Sequence, residues 1–488
     1  MMTAKIQRPI LVGGIGLSFL LWLVNSMAHS AAEFGETALV GTIALGAGLW
    51  WIQRQFPKTT PALTPKIIDR QTVDHAIAYT GSTIEKLTAE AQQSRLAENF
   101  TANIGQFQQQ LTQLTSQLER QTLSVGVMGG KSVGKTQLMQ GLSANGIGQY
   151  SKPLTFVEIP EGQQKPLTDC DAVLFLTGGD VTDPQYQTIS QLLLQSHRVI
   201  LVWNKQDQHS QEEQPVILQR LRETMAGLLE GEDVVAIAAS PSPVKVRQHQ
   251  ADGSVKEWME TQQPNILPLT ERLSQILKQE QQSLVWATTY RQAKALQAQV
   301  KTGLNQVRRE RALPIIEQYQ WIAAATAFAN PVPALDVLAT AAINAQLVID
   351  LGGIYQQKFS VEQAQEVAKT IGTQMLKLGF VELTSQTLTS LLKSHTVTFV
   401  AGGVVQGVSA AYLTRIAGLS LVEYFQSLEI DEKESGQFSL NINALNQTLK
   451  TVFQQNQQLS LLQSFVKQAV NRLSPQIQQK QASQSPAS

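Results

Sequence analysis

The chain has 488 residues, of which 38 are basic and 38 acidic, so its formal charge at pH 7 is zero. This balance excludes a general electrostatic attraction to nucleic acid, and the sequence contains no run typical of a nucleic-acid-binding module. Hydrophobic residues make up 43% of the chain, charged residues 16%, and Cys170 is the only cysteine. Disulfides within the chain and cysteine-based metal sites are therefore excluded, which suits a reducing compartment.

Two apolar segments lie near the start of the chain. Residues 9–32 and 37–53 contain no Asp, Glu, Lys or Arg, and about 20 such residues span a bilayer. Basic residues flank the pair, so the positive-inside rule predicts a transmembrane helical hairpin with both ends in the cytoplasm. We expect residues 1–60 to form this hairpin and its linker, which predicts a multi-pass membrane protein. A cleaved signal peptide ending near Ala28 is the alternative.

Residues 61–121 are expected to form a helical stalk. Its second half carries apolar residues at alternating spacings of four and three, the pattern of a helical seam. The seam consists of Phe100, Ile104, Phe107, Leu111, Leu114 and Leu118. It could join two copies of the chain in a homo-oligomer, or it could pack against the domain that follows.

A glycine-rich segment follows the apolar run that begins at Leu123 and fits the pattern G-x-x-x-x-G-K-[ST]. Its residues are Gly129, Gly130, Lys131, Ser132, Val133, Gly134, Lys135 and Thr136. Backbone N–H groups of such a loop, together with a helix N-terminus, bind phosphate groups. We expect Lys135 to reach the terminal phosphates and the Thr136 hydroxyl to hold Mg²⁺.

Apolar strands alternate with helical stretches through residues 122–277, which predicts an α/β domain with a mostly parallel sheet and helices on both faces. The expected strands are 123–128, 154–159, 171–177, 198–203 and 233–239. Residues 244–260 interrupt the alternation, and the Asp252-Gly253 pair predicts a surface hairpin there.

A second motif predicts which base is bound. Asn204, Lys205 and Asp207 form N-K-x-D at the end of a predicted strand, about seventy residues beyond the glycine-rich loop. An ionised aspartate only accepts hydrogen bonds, which suits the two adjacent N–H donors of guanine and not the adenine edge. We expect Asn204 to bridge to the phosphate loop, Lys205 to cover the base, and the Ala239 N–H to bond the guanine oxygen.

The remainder is predicted to be an all-α region. A connecting helix, 278–314, should end at Pro314, and an apolar helical domain should occupy 315–430. Within it, residues 318–335 and 396–414 approach the length of a membrane span, but their small and polar residues favour a buried bundle over insertion into lipid.

The C-terminal part, 431–488, is expected to contain one helix, 440–473, followed by a disordered Gln/Ser-rich tail. This last helix could pair with the seam of the stalk.

Residues 122–277 resemble an Era-like, translation-factor-related P-loop GTPase domain, on the two motifs above. The segment Ile322–Tyr355 resembles the helical domain of unknown function of YcjF-like bacterial proteins. That domain often accompanies GTPase modules and membrane segments. The resemblance implies GTP or GDP with Mg²⁺ as ligands, a membrane as partner, and protein partners that the sequence does not identify.

The chain departs from the family's D-x-x-G motif. Glu158 stands where the family has the aspartate that assists Mg²⁺, and Gly162 follows one residue late. Residues 142–156 are too few for the usual first switch and its strand. Gln163 could orient the attacking water, with Lys135 as the other catalytic residue. Three interpretations stay open. The first is a slow GTPase that couples nucleotide state to membrane-proximal helices, the second is a non-hydrolysing scaffold, and the third is an accessory protein of a transporter.

Overall fold

The computed structural model describes residues 68–93, 97–144, 153–160, 165–249, 255–329, 333–394, 403–428 and 440–484. The predicted transmembrane hairpin, Gln163 and most of the short first-switch segment lie outside these residues.

Five parallel strands form one sheet. They are β1 (Leu123–Gly129), β2 (Leu154–Glu158), β3 (Ala172–Thr177), β4 (Arg198–Trp203) and β5 (Val234–Ala236). Their order in the sheet is β2-β1-β3-β4-β5. All five predicted strands are therefore confirmed. All six residues of β3 are buried, as expected for a central strand covered on both faces.

The helices of this domain alternate with the strands. The preceding stalk contains α1 (Arg70–Gln92) and α2 (Ala97–Gln117). The α/β domain contains α3 (Lys135–Ala144), α4 (Lys165–Thr168), α5 (Asp183–Leu194), α6 (Glu213–Thr224) and α7 (Leu267–Gln279). Leu138 of α3 and Leu269 of α7 pack in one apolar core with Val125 and Leu174 of the sheet. α5 contacts β4, and α6 contacts β5. The predicted parallel α/β domain is confirmed.

The predicted surface hairpin is also confirmed. β6 (Val244–His249) and β7 (Val255–Glu260) pair as an antiparallel, two-stranded sheet. The hairpin leaves and rejoins the domain beside β5, where Ala238 and Asn265 exchange two backbone hydrogen bonds of 2.9 Å.

The stalk packs within its own chain. Ile104, Phe107, Leu111 and Leu114 of the seam pack in a cluster with residues of α1 and of α8 (Gln281–Ala329). The seam is therefore occupied by an intramolecular contact, rather than by the α/β domain or by the C-terminal helix.

The expected helix end at Pro314 is wrong. α8 runs for 49 residues and continues through this proline. A proline inside a helix removes one hydrogen bond and costs roughly 3 kcal/mol. Its neighbours offset this cost, because Ala312 and Ile316 are buried. Ile316 packs closely on Gly418: a Cβ added to Gly418 would lie only 2.8 Å from the Ile316 side chain.

The predicted helical region is confirmed beyond α8. It contains α9 (Pro333–Ile354), α10 (Val361–Lys377), α11 (Phe380–Ser394), α12 (Gly403–Ser427), α13 (Ile442–Asn456) and α14 (Leu459–Gln484). One apolar cluster joins residues of all these helices with the second half of α8. Phe380 stacks on Phe453 with ring centroids 3.8 Å apart.

Two details of the C-terminal prediction are wrong. The single helix expected at 440–473 is divided into α13 and α14 at residues 457–458. α14 then continues to Gln484, so residues 474–484 are helical and not disordered. Both helices contribute to the bundle core, and this packing overrides the weak local signals.

Within the described residues, no helix combines the length and the apolar character needed to cross a membrane.

Candidate nucleotide site

The phosphate loop connects the carboxyl end of β1 to the start of α3. Gly129 has φ +145° and Gly134 has φ +94°, values that glycine adopts without the penalty of a side chain. A Cβ on Gly129 would lie 2.3 Å from the Leu176 carbonyl oxygen, and one on Gly134 would lie 2.3 Å from Asn204 Nδ2. Both glycines are therefore required by backbone conformation and by close neighbours.

Lys135 lies across the loop. Its Nζ donates to the Gly129 carbonyl oxygen at 3.0 Å and to the Gly130 carbonyl oxygen at 2.9 Å. It also lies 3.8 Å from a carboxylate oxygen of Glu158. These contacts hold the ammonium group over the loop, where a bound polyphosphate would meet it.

Two oxygen-bearing side chains converge beside the loop. The Thr136 hydroxyl donates to Glu158 Oε2 at 3.4 Å. Neighbouring ligands of an octahedral Mg²⁺ lie about 3 Å apart, because each metal–oxygen distance is about 2.0–2.1 Å. The pair therefore fits Mg²⁺, which usually takes one or two protein oxygens and completes its shell with phosphate and water. The geometry gives Glu158 the position that the sequence assigned to the replaced aspartate.

Asn204 joins the phosphate loop to the base side of the site. It is 2% exposed, its Nδ2 donates to the Val133 carbonyl oxygen at 2.8 Å, and its Oδ1 accepts from the Ala239 N–H at 2.9 Å. The bridge therefore lies where the sequence placed it. The Ala239 N–H, expected to face the guanine oxygen, is instead used by Asn204.

Asp207 is held on one side only. Its Oδ2 accepts from the Ser242 N–H at 3.0 Å, whereas its Oδ1 is shielded from solvent and has no hydrogen-bond partner among the described residues. Lys205, two residues earlier, adopts φ +67°, an uncommon conformation for a side-chain-bearing residue that often marks a functional loop. The carboxylate therefore retains an acceptor that the fold does not use.

Sequence reasoning missed Ser242. Its contribution is a backbone N–H, which leaves no signature in the residue type. It also missed the junction between the α/β domain and α8. Asp171, fully buried before β3, accepts from Arg120, from the Ser124 N–H at 2.8 Å and from the Thr288 hydroxyl of α8 at 2.7 Å. An aspartate directly before an apolar strand is the one sequence signal that could have indicated this junction.

Three further residues are predicted to belong to the site. Lys131 and Ser132 belong to the loop and are exposed, and Ser132 adopts φ +59°. Gln163 lies outside the described residues, so its proposed contact with water stays a prediction.

Comparison with known proteins identifies the helical region. A family model named "Domain of unknown function (DUF697)" matches residues 291–458. The match includes the predicted apolar helical domain, residues 315–430, whereas the resemblance to YcjF-like proteins stays a prediction. No curated protein sequence matches the chain.

Two solved structures show weak similarity. The LeoA bacterial dynamin GTPase from ETEC is 12% identical, with a TM-score of 0.26, over 83% of this chain and 100% of that chain. An oligomerised bacterial dynamin pair, described as a mechanism for long-range sensing and tethering of membranes, is 10% identical, with a TM-score of 0.24, over 80% of this chain and 78% of that chain. Scores this low do not establish a common fold.

Proposed function

We propose that this protein is a membrane-anchored GTP-binding protein with slow GTPase activity. The observation that carries the proposal is the Asp207 carboxylate, whose Oδ1 has no hydrogen-bond partner among the described residues and which lies beside a phosphate loop to which Asn204 is hydrogen-bonded. Phosphate and base recognition are thereby joined at the carboxyl ends of β1 and β4, the edge at which parallel sheets bind ligands.

Guanine fits the acceptor better than adenine. A carboxylate can accept from both N1–H and the 2-amino group of guanine, whereas adenine has an acceptor at N1 and no 2-amino group. Sites built on such hydrogen bonds reject an analogue that lacks the donor by roughly 10⁴-fold or more. We therefore infer specificity for GTP and GDP over ATP.

Slow hydrolysis follows from an incomplete catalytic arrangement. Thr136 and Glu158 would hold Mg²⁺, which neutralises charge on the phosphates in phosphoryl transfer. Lys135 would bind the terminal phosphates, and Gln163 would orient water. Only Thr155, on β2, and Ser151, outside the described residues, are hydroxyl candidates for the first switch. Weak positioning of metal and water should lower the rate, because positioning supplies most of the catalysis.

The membrane part of the proposal rests on the two uncharged apolar runs within residues 1–60. We infer a multi-pass anchor with the G domain, residues 122–277, in the cytoplasm. Nucleotide state would reach the helical region through the junction of Asp171 with Thr288 on α8. A protease-protection assay in which the region after Arg54 is shielded from cytoplasmic protease would refute this orientation.

The nucleotide proposal is tested by titrating the purified protein with fluorescent GDP, GTP and ATP, with phosphate release followed in parallel. We expect tight binding of both guanine nucleotides, weak binding of ATP, and slow release that Lys135→Ala abolishes. Lys256→Ala is the control, because this exposed lysine lies on the β6–β7 hairpin, outside the phosphate loop, and should not alter the release. Equal affinity for ATP and GTP would refute guanine specificity.

The second candidate function is a non-hydrolysing scaffold that organises partners at the membrane. Glu158 favours it, because a longer carboxylate replaces the usual aspartate and its side chain is 43% exposed. Tight guanine binding without phosphate release would select this alternative, and release that depends on Lys135 would exclude it.

A further inference from the structure

A cavity of about 310 Å³ lies between the α/β domain and α8. One wall is formed by Tyr290, Arg291 and Lys294 of α8, and the other by α4 and the turn at 195–197 between α5 and β4. This turn precedes β4, whereas the nucleotide site follows it, so the cavity is at the opposite edge of the sheet. Six residues of a strand span about 20 Å, too far for one small ligand to occupy both sites.

The cavity is cationic. Arg291 and Lys294 are among its ten lining residues, and none of the ten is an aspartate or glutamate. Among the described residues, no carboxylate oxygen forms an ion pair with either side chain. The nearby Asp171 is already engaged by Arg120, Ser124 and Thr288.

Arg291 is buried and forms no direct ion pair among the described residues, although the charges of Asp171 and Asp169 act on it. It is 8% exposed, and its guanidinium donates to three neutral oxygens: the Ser196 carbonyl at 2.7 Å, the Cys170 carbonyl at 2.6 Å and the Thr288 hydroxyl at 2.9 Å. Burial lowers the pKa of Arg291 to about 10 although Asp171 acts to raise it. A buried charge without a counter-ion is costly, and a bound anion would relieve that cost.

The same wall has unused hydrogen-bonding capacity. Arg291 Nε and His197 Nδ1 are both shielded from solvent and have no hydrogen-bond partner among the described residues. His197 is 2% exposed, and burial, followed by the charge of Arg291, lowers its pKa to about 3. The imidazole is therefore neutral, and in the tautomer protonated at Nδ1 it can still donate a hydrogen bond to an anion.

We propose that this cavity binds a small soluble organic anion, a phosphate or carboxylate carried on one apolar ring, at the junction of the α/β domain with α8. Lys294 and Arg291 attract the anionic group, and Tyr290, Leu167 and Leu194 offer apolar surface to the ring. The volume accommodates roughly ten groups the size of a water molecule, at about 30 Å³ each, which matches a single-ring phosphate.

The position of the cavity makes the ligand a regulator. α4, which supplies Leu167, follows Glu158 closely in the chain, and Gln292 of α8 donates to Asp169 at the end of α4 at 2.7 Å. An anion held between α4 and α8 would stabilise this contact and so favour one arrangement of the junction. The site does not depend on the protein binding a nucleotide.

The test is a calorimetric titration of the full-length protein with phenyl phosphate, in the Lys135→Ala background. That background keeps the probe from the phosphate loop. We expect binding of one phenyl phosphate per chain, weaker binding of benzoate, and none of benzylamine, whose charge is opposite.

Two variants locate the binding. Ala295→Trp should abolish it by filling the cavity from an exposed lining position. Lys294→Gln should weaken it about tenfold, as expected for loss of one charge-assisted hydrogen bond. Ala298→Trp on the same helix and Lys369→Gln on α10, both exposed and outside the cavity, are the matched controls and should bind as well as the parent.

The possible results separate this proposal from the nucleotide site. Undiminished binding in Ala295→Trp, or no binding in the Lys135→Ala background, overturns the cavity proposal. Binding that is present in the wild type and lost in Lys135→Ala places the probe at the phosphate loop, which overturns the cavity and leaves the nucleotide proposal standing. GDP titrations of Ala295→Trp test the nucleotide proposal separately.

Discussion

Asn204 holds the phosphate loop and the base-binding loop together, so replacing it by alanine should weaken both folding and nucleotide binding. The substitution leaves the Ala239 N–H unpaired, and this residue is 5% exposed. An unsatisfied buried donor costs about 1–3 kcal/mol, and loss of the bond to the Val133 carbonyl adds about 0.5–1.5 kcal/mol. We expect the free energy of unfolding to fall by about 2–4 kcal/mol.

The magnitude is measured by urea unfolding followed by circular dichroism, and the binding by titration with fluorescent GDP. With the two loops no longer joined, affinity should fall at least tenfold, or about 1.4 kcal/mol. Asn204→Asp separates the two bonds, because a carboxylate can still accept from the Ala239 N–H but cannot donate to Val133. It should lose nucleotide affinity as strongly as Asn204→Ala.

Gln208→Ala is the matched control, since this exposed residue lies in the same loop and should change neither quantity. The reasoning is refuted if Asn204→Ala unfolds within about 0.5 kcal/mol of the wild type, the usual range of neutral surface substitutions, and binds GDP equally well.

Two further substitutions and one pH dependence follow from the geometry. Gly134→Ala should cost at least about 1–2 kcal/mol in stability, and should also weaken GDP binding, because the new Cβ would lie 2.3 Å from Asn204 Nδ2. Thr288→Val removes the 2.7 Å bond to Asp171 and should lower stability by about 1–3 kcal/mol in urea unfolding. His197, with its pKa lowered to about 3 from 6.5, contributes stability that is complete above pH 6.5 and is lost as pH falls toward 3. Unfolding at pH 5.0 should therefore cost about 2 kcal/mol less than at pH 7.5.

Each of these has a control in the same element. In Gly130→Ala the Cβ would be 3.7 Å from Val133 Cγ1, an ordinary contact, so the stability of this variant should be nearly unchanged. An equal loss of stability in both glycine variants would contradict the argument. Thr302→Val removes only a hydrogen bond from an exposed hydroxyl to the preceding turn of its own helix. If it lowers stability as much as Thr288→Val does, the hydrogen bond to Asp171 adds no stability. His197→Gln should reduce the pH dependence, and an unchanged slope would exclude the imidazole as its source.

The α/β domain could be predicted from the sequence because its signals are local. Buried parallel strands are short apolar runs, and the phosphate loop and N-K-x-D motif specify residue types at fixed spacing. Asn204 shows how far such a signal reaches, because the motif predicted the bridge to the loop. It did not predict that the Ala239 N–H would complete this bridge, since the partner is a backbone group.

The helical region was predicted less completely because two of its helices, α9 and α12, are apolar around most of their surface. Such helices have little periodicity from which to infer their partners. Pro314 illustrates this: the residue alone predicts a break, and only the packing of Ile316 against Gly418 explains why α8 continues. The division between α13 and α14 lies at two glutamines, which carry no breaker signal.

The most direct test of guanine recognition is Asp207→Asn, titrated with guanosine and xanthosine diphosphates. Xanthine has a carbonyl where guanine has its 2-amino group, so an asparagine amide can donate to that carbonyl while accepting from N1–H. If Asp207 reads the base, the variant should bind xanthosine diphosphate more tightly than GDP, with the wild type showing the opposite preference. An unchanged preference for GDP in the variant would contradict the proposed role of Asp207, and absence of GDP binding to the wild type would contradict the proposal that this chain binds GTP.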